Sequence, residues 1–105
     1  MILKRGRFRD VVRRQLDLFA EEQTQLLAEA RAADARWTHA PAHESEELFG
    51  EYQLLVEAIG ELLYESREAY ASTLDEATGD EYRAAFDREA RRTHPQYVGL
   101  LGENR

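Results

Sequence analysis

The sequence predicts an all-α protein: a long antiparallel helical hairpin with a shorter third helix, dimerising into a four-helix-type bundle. Three observations lead there. Of 105 residues, 33% are charged and only six are Gly and two Pro, the composition of long helices. Two extended apolar stripes recur at 100° per residue. No alternating apolar pattern marks a strand.

The first stripe holds Phe8, Val12, Phe19, Leu26, Ala30, Ala33 and Trp37, widened by Val11, Leu16 and Leu27. No Gly or Pro interrupts it, so the spacing predicts one helix over 8–36, roughly 43 Å long at the helical rise. Residues 1–7 precede it as a basic arm.

The second stripe contains Leu48, Tyr52, Leu55, Ile59, Leu62, Leu63 and Tyr70 and predicts a helix over 42–77, on the order of 50 Å. Gly60 falls near its outer edge. Gly79 suits the left-handed residue that closes a helix. A third helix is expected over 80–93, capped by Asp80, or by Thr78 with Glu81 as a capping box. Tyr82, Ala85, Phe86 and Ala90 form its inner face, and Pro95 disfavours helical geometry at His94. Residues 94–105 form a docked or flexible tail whose Tyr97, Val98, Leu100 and Leu101 need cover.

A compact chain of this length has a radius of gyration near roughly 13 Å. Two helices of the expected lengths do not fit that globule, so they lie side by side around the Thr38–Pro41 turn. The third helix covers less than half of them. Part of the apolar groove then faces water, which a second copy would relieve. Leu48, Tyr52, Leu55, Ile59, Leu62, Leu63 and Tyr70 are the expected dimer interface.

Charge is divided along the chain. Residues 1–14 carry Lys4, Arg5, Arg7, Arg9, Arg13 and Arg14 against Asp10, while 44–76 hold ten acids against the single base Arg67, within a net charge of −7. The basic arm is expected to pair with the chain's own acids Glu65, Glu68, Asp75 and Glu76, or with a second copy's. A nucleic-acid partner is the alternative and is less favoured, because the overall acidic field repels polyanions. An acidic membrane surface or another protein is a further alternative.

The stretch "RWTHAPAHESEE", residues 36–47, raises the question of metal. His39 and His43 are four apart, and Glu46 or Glu47 could complete a site with them, while Glu22 with Glu51 or Glu61 across the bundle is a second, carboxylate set. Pro41 lies between the two histidines, however, where one helix stops and the next begins with Pro41 at its first position. Helix two also carries E-x-x-E pairs at 44/47 and 65/68. The E-x-x-D or E-x-x-H partners that would complete a magnesium or di-iron set do not occur. A carboxylate-bridged metal enzyme is therefore the remote alternative, and no cofactor is expected. Phosphate loops and nucleophile motifs are missing from the sequence.

No apolar run approaches the roughly 18 residues of a membrane span. The start lacks a signal peptide's apolar segment, and the absence of cysteine suits a reducing compartment. The expectation is a small cytoplasmic interaction, scaffold or accessory protein, homodimeric and without catalysis of its own.

Overall fold

The computed structural model describes residues 6–103, and all its regular structure is helical. Four long helices follow one another: α1 over Arg9–Glu22, α2 over Thr24–Thr38, α3 over Ala42–Ala71 and α4 over Glu76–Thr93. A 3₁₀ turn at Pro95–Tyr97 leads into the short α5, Gly99–Glu103. Lys4 and Arg5 of the basic arm lie outside the described residues.

The expected single helix over 8–36 is two. Gln23 leaves helical geometry at φ −107°, ψ 24°. Beside it, the Thr24 hydroxyl donates to the carbonyls of Ala20, at 3.0 Å, and Glu21, at 2.9 Å. A Thr hydroxyl that binds carbonyls of the preceding turn competes with the backbone and bends helices. The ladder resumes at once, with Leu27 N–H donating to Gln23 O at 2.9 Å.

The boundary between the second and third expected helices lies earlier than the sequence pattern placed it. α3 ends at Ala71 rather than 77, and α4 begins at Glu76 rather than 80. The cap is neither Thr78 nor Asp80 but Asp75, whose carboxylate accepts from Thr78 N–H at 2.8 Å. Gly79 is no left-handed terminus: no glycine among the described residues has positive φ. It sits buried inside α4, where a Cβ would stand 3.1 Å from Ala71 O. Its missing side chain lets α4 start close against the end of α3.

Burial follows helical spacing. Val12, Leu16 and Phe19 of α1, Leu27, Ala30 and Ala33 of α2, and Ile59 and Leu63 of α3 are buried, as are Tyr82, Phe86 and Ala90 of α4. α2 runs antiparallel to the first half of α3, with Trp37 against Phe49 and Tyr52. α1 continues that line, and Gln15 donates to the Ser66 hydroxyl at 3.0 Å. α4 returns antiparallel to the second half of α3 and parallel to α1, closing over Phe8, which meets Tyr82 edge-on at 5.4 Å. The tail tucks under the middle of α3: Tyr97 and Leu101 are buried, and the Tyr97 carbonyl would stand 3.2 Å from a Cβ on Gly60. Gly60, expected near an outer edge, is therefore covered.

The result is a rod of 55 × 24 × 22 Å with a radius of gyration of 15.9 Å. One half has α1, α3 and α4 around a continuous core. In the other half only α2 and α3 pair, with the tail reaching part of the way.

Candidate functional site

Three places in this rod hold side chains that the core does not account for. The turn at 36–47 is the first. Trp37 stacks on Tyr52, with ring centroids 6.0 Å apart and planes within 9°, and Phe49 lies 4.8 Å away. Pro41 is the N-cap of α3 in extended geometry, φ −67°, ψ 158°, one position before the first-turn place the sequence suggests. His39 follows the last residue of α2, and both His39 and His43 are exposed. The ring of His43 lies 3.3 Å from Glu44, while Glu51 faces Arg36 at 3.8 Å. Glu22 and Glu61 are exposed on other stretches of the rod. No group of three or more His, Asp or Glu side chains that could hold a metal exists among the described residues. Glu22, Glu51, Glu61, His39 and His43 are not brought together.

The basic start is the second. Two of its described arginines turn to acids of α4, and none pairs with Glu65 or Glu76. Arg7 reaches Glu81 at 3.3 Å and Arg13 reaches Glu89 at 4.0 Å. Asp75 feels Arg7 only weakly, behind its own bonds to Thr78. Glu68 belongs to a different network. Arg14 has no ion-pair partner among the described residues. Exposed pairs of this kind contribute about 0–1 kcal/mol each, so the arm's α1 half is held chiefly by the burial of Phe8 and Val12.

The third is a polar cluster between α3 and α4. Arg67 is 2% exposed and Asp87 4%. Arg67 Nη1 donates to both Asp87 oxygens, at 2.9 and 3.0 Å, and its Nε donates to Glu68 at 3.0 Å. Arg83 then grips Glu68 with Nε and Nη2 at 2.8 and 2.9 Å, and donates through Nη1 to Asp80 at 3.0 Å. The Arg83 fork holds the Glu68 carboxyl below the usual carboxylate range, against the opposing effect of burial. The same bonds push the Arg83 guanidinium up, so it stays charged at any working pH. Arg67 also lies over the Tyr64 ring, 5.1 Å from its centroid. These groups border an open pocket of about 650 Å³ whose far rim carries Arg88 and Arg91.

Periodicity passes over this cluster because it scores only apolar residues. One signal was available: Arg67 is the lone base among ten acids over 44–76, four residues from buried Leu63 on the stripe itself.

The expected dimer face divides. Ile59 and Leu63 are fully buried in the chain's own core, so they are closed to any second copy. Leu48, Tyr52, Leu55, Leu62 and Tyr70 are half-buried, Tyr52 under Trp37 and Tyr70 against Tyr82 at 4.7 Å. The large apolar side chains left open on α3 are instead Phe49, 39% exposed, and Leu54, 69% exposed. They flank Gly50, around whose would-be Cβ nothing lies within 4 Å. The tail lies against α3 at Gly60, and its Gln96, Tyr97 and Leu100 line a cleft with Gln53 and Val56.

No helix is long and apolar enough to cross a membrane among the described residues. No family model matches the chain, and comparison with curated proteins and with solved structures finds no match.

Proposed function

We propose that this protein is a helical interaction module that pairs with a second copy of itself through the open side of the first half of α3. The observation that carries the reading is Gly50. Glycine inside a helix costs roughly 1 kcal/mol against Ala, and the two other glycines inside long helices each have a reason. Gly60 admits the tail backbone and Gly79 admits the end of α3. Gly50 has the same missing side chain and open space in front of it, between exposed Phe49 and Leu54. A helix backbone approaching from another molecule supplies the reason that the chain does not.

A second copy fits because the patch matches itself. Two α3 helices crossing antiparallel at Gly50 bring the Phe49 side of each against the Phe49 side of the other and the Leu54 side against the Leu54 side, the isologous arrangement of a two-fold pair. The open apolar area is small beside the roughly 800 Å² per partner of a standard interface, so the association is weak, with Kd on the order of 10 µM. Glu46, Glu47 and Glu57 lie near the patch on both copies. Their repulsion is screened by salt, so pairing tightens as ionic strength rises. This occupies a face adjoining the one the apolar stripe suggests, because α2 has already covered the stripe's centre.

Sedimentation equilibrium of the full chain across the micromolar range tests this. The expected result is a concentration-dependent dimer that Leu54→Glu or Gly50→Leu abolishes without loss of helicity or of monomer Tm. A wild-type chain that stays monomeric to hundreds of micromolar in high salt overturns it.

A further inference from the structure

We infer that the pocket between α3 and α4 is an anion site for a phosphorylated small molecule, with Arg67 at its floor and Arg88 and Arg91 at its rim. The pocket's volume, about 650 Å³, is in the range that holds small organic ligands, roughly 300–1,000 Å³. Ala84 and Tyr64 also line it, with the Arg67 guanidinium over one face of the Tyr64 ring.

The arginines are unequal, and the inequality is what makes a site. Arg67 and Arg83 are held by fixed bonds to Asp87, Glu68 and Asp80. Arg67 is 2% exposed and borders the pocket, and its Nη2, which is not fully enclosed, makes no hydrogen bond within the described chain. Burying a charged pair gains little stability compared with an apolar pair of the same size. A guanidinium immobilised by two carboxylates, with one donor nitrogen unused, is prepared for an incoming acceptor. Arg88 and Arg91, three apart on α4, are exposed and have no ion-pair partner among the described residues. The pocket's four arginines face three acids, so one positive charge is left over, and it resides at the rim. Arginine forks match phosphate oxygens in geometry. The apolar body of the ligand rests on Tyr64 and Ala84.

The phosphate could belong to a free metabolite or to a nucleic-acid backbone, and the second would also engage the neighbouring groove of Arg9, Arg13 and Arg92 between α1 and α4. Calorimetric titration of the full chain with ADP, with inorganic pyrophosphate and with a short single-stranded oligonucleotide separates the two. Saturable binding of ADP and pyrophosphate is expected, weakened at least tenfold in Arg88→Ala/Arg91→Ala with an unchanged circular dichroism spectrum. Arg14→Ala, which removes an exposed arginine elsewhere, leaves it intact. Failure of ADP and pyrophosphate to bind at millimolar concentration overturns the inference, as does equal weakening by Arg14→Ala. Binding of the oligonucleotide alone, lost when Arg9, Arg13 and Arg92 are neutralised, replaces it with a nucleic-acid surface. None of these outcomes depends on the face around Gly50.

Discussion

Arg67 Nη1 donates to both carboxylate oxygens of Asp87, at 2.9 and 3.0 Å, and neither residue has more than 4% of its surface exposed. The pair joins the second half of α3 to the middle of α4. Removing Asp87 takes both Nη1 bonds from buried Arg67 and leaves it only its bond to Glu68, and breaking a buried pair costs up to about 3–5 kcal/mol. Asp87→Ala is therefore expected to lower stability by that amount in urea unfolding. The joint replacement Arg67→Met/Asp87→Leu should be close to neutral. A double variant as unstable as Asp87→Ala would show that the pair gives net stability.

The glycines of the long helices separate close approach from open surface. A Cβ at Gly60 would lie 3.2 Å from the Tyr97 carbonyl and from Leu100 Cδ1, and one at Gly79 would lie 3.1 Å from Ala71 O. Backbone oxygens yield poorly, so Gly60→Ala and Gly79→Ala should each lose about 1 kcal/mol even after the gain in helix propensity. Gly50→Ala meets nothing and should gain roughly 0.5–1 kcal/mol in the monomer. Thermal unfolding at low concentration, where any dimer is dissociated, measures all three.

Tyr82 supplies an alkaline signature. Its ring is fully buried among Phe8, Tyr70 and Phe86, and its hydroxyl has no hydrogen-bond partner among the described residues. Burial, helped by Tyr70, pushes its pKa up from 10.0 to about 12. The folded state thus holds the proton more tightly than the unfolded state. Stability is complete below pH 10.0 and falls as pH rises toward 12. Tyr82→Phe should shrink that alkaline loss and, by deleting an unpaired buried hydroxyl, leave neutral-pH stability unchanged or raise it by about 1 kcal/mol. A fall of several degrees in Tm at neutral pH would reveal a hydroxyl partner.

The Asp75 cap should be visible in acid. Its carboxyl lies below its usual pKa because Thr78 N–H donates to it at the start of α4. A depressed acid contributes stability above its unfolded pKa and loses it as pH falls through the folded value. Asp75→Ala should lower Tm at neutral pH and flatten the acid dependence, whereas Asp75→Ser or Asp75→Asn, which still cap, should keep most of the neutral-pH Tm.

Helical character was legible in the sequence because it depends on neighbours three and four apart. Val12, Leu16 and Phe19 mark one face whatever they meet, and Pro95 ends α4 through its own ring. The last turn of α3 and the first of α4 were not legible. Over 71–80 the local signals conflict: Thr78, Asp80 and Gly79 resemble caps as strongly as Asp75 does. The choice belongs to the packing of Gly79 on Ala71, a contact between helices. The break at Gln23 carries a weak local sign in Thr24, which periodicity over apolar residues does not register.

The candidate sites divide the same way. By itself the sequence determined an acidic, helical chain with two apolar stripes and a basic start, since composition and period need no partner. Only the tertiary structure decided which acid each arginine meets, that Ile59 and Leu63 belong to the core, and that Gly50 is left bare where Gly60 and Gly79 are filled. Side-chain pairing and exposure depend on what lies across a helix interface, and one strand of sequence does not contain its opposite side.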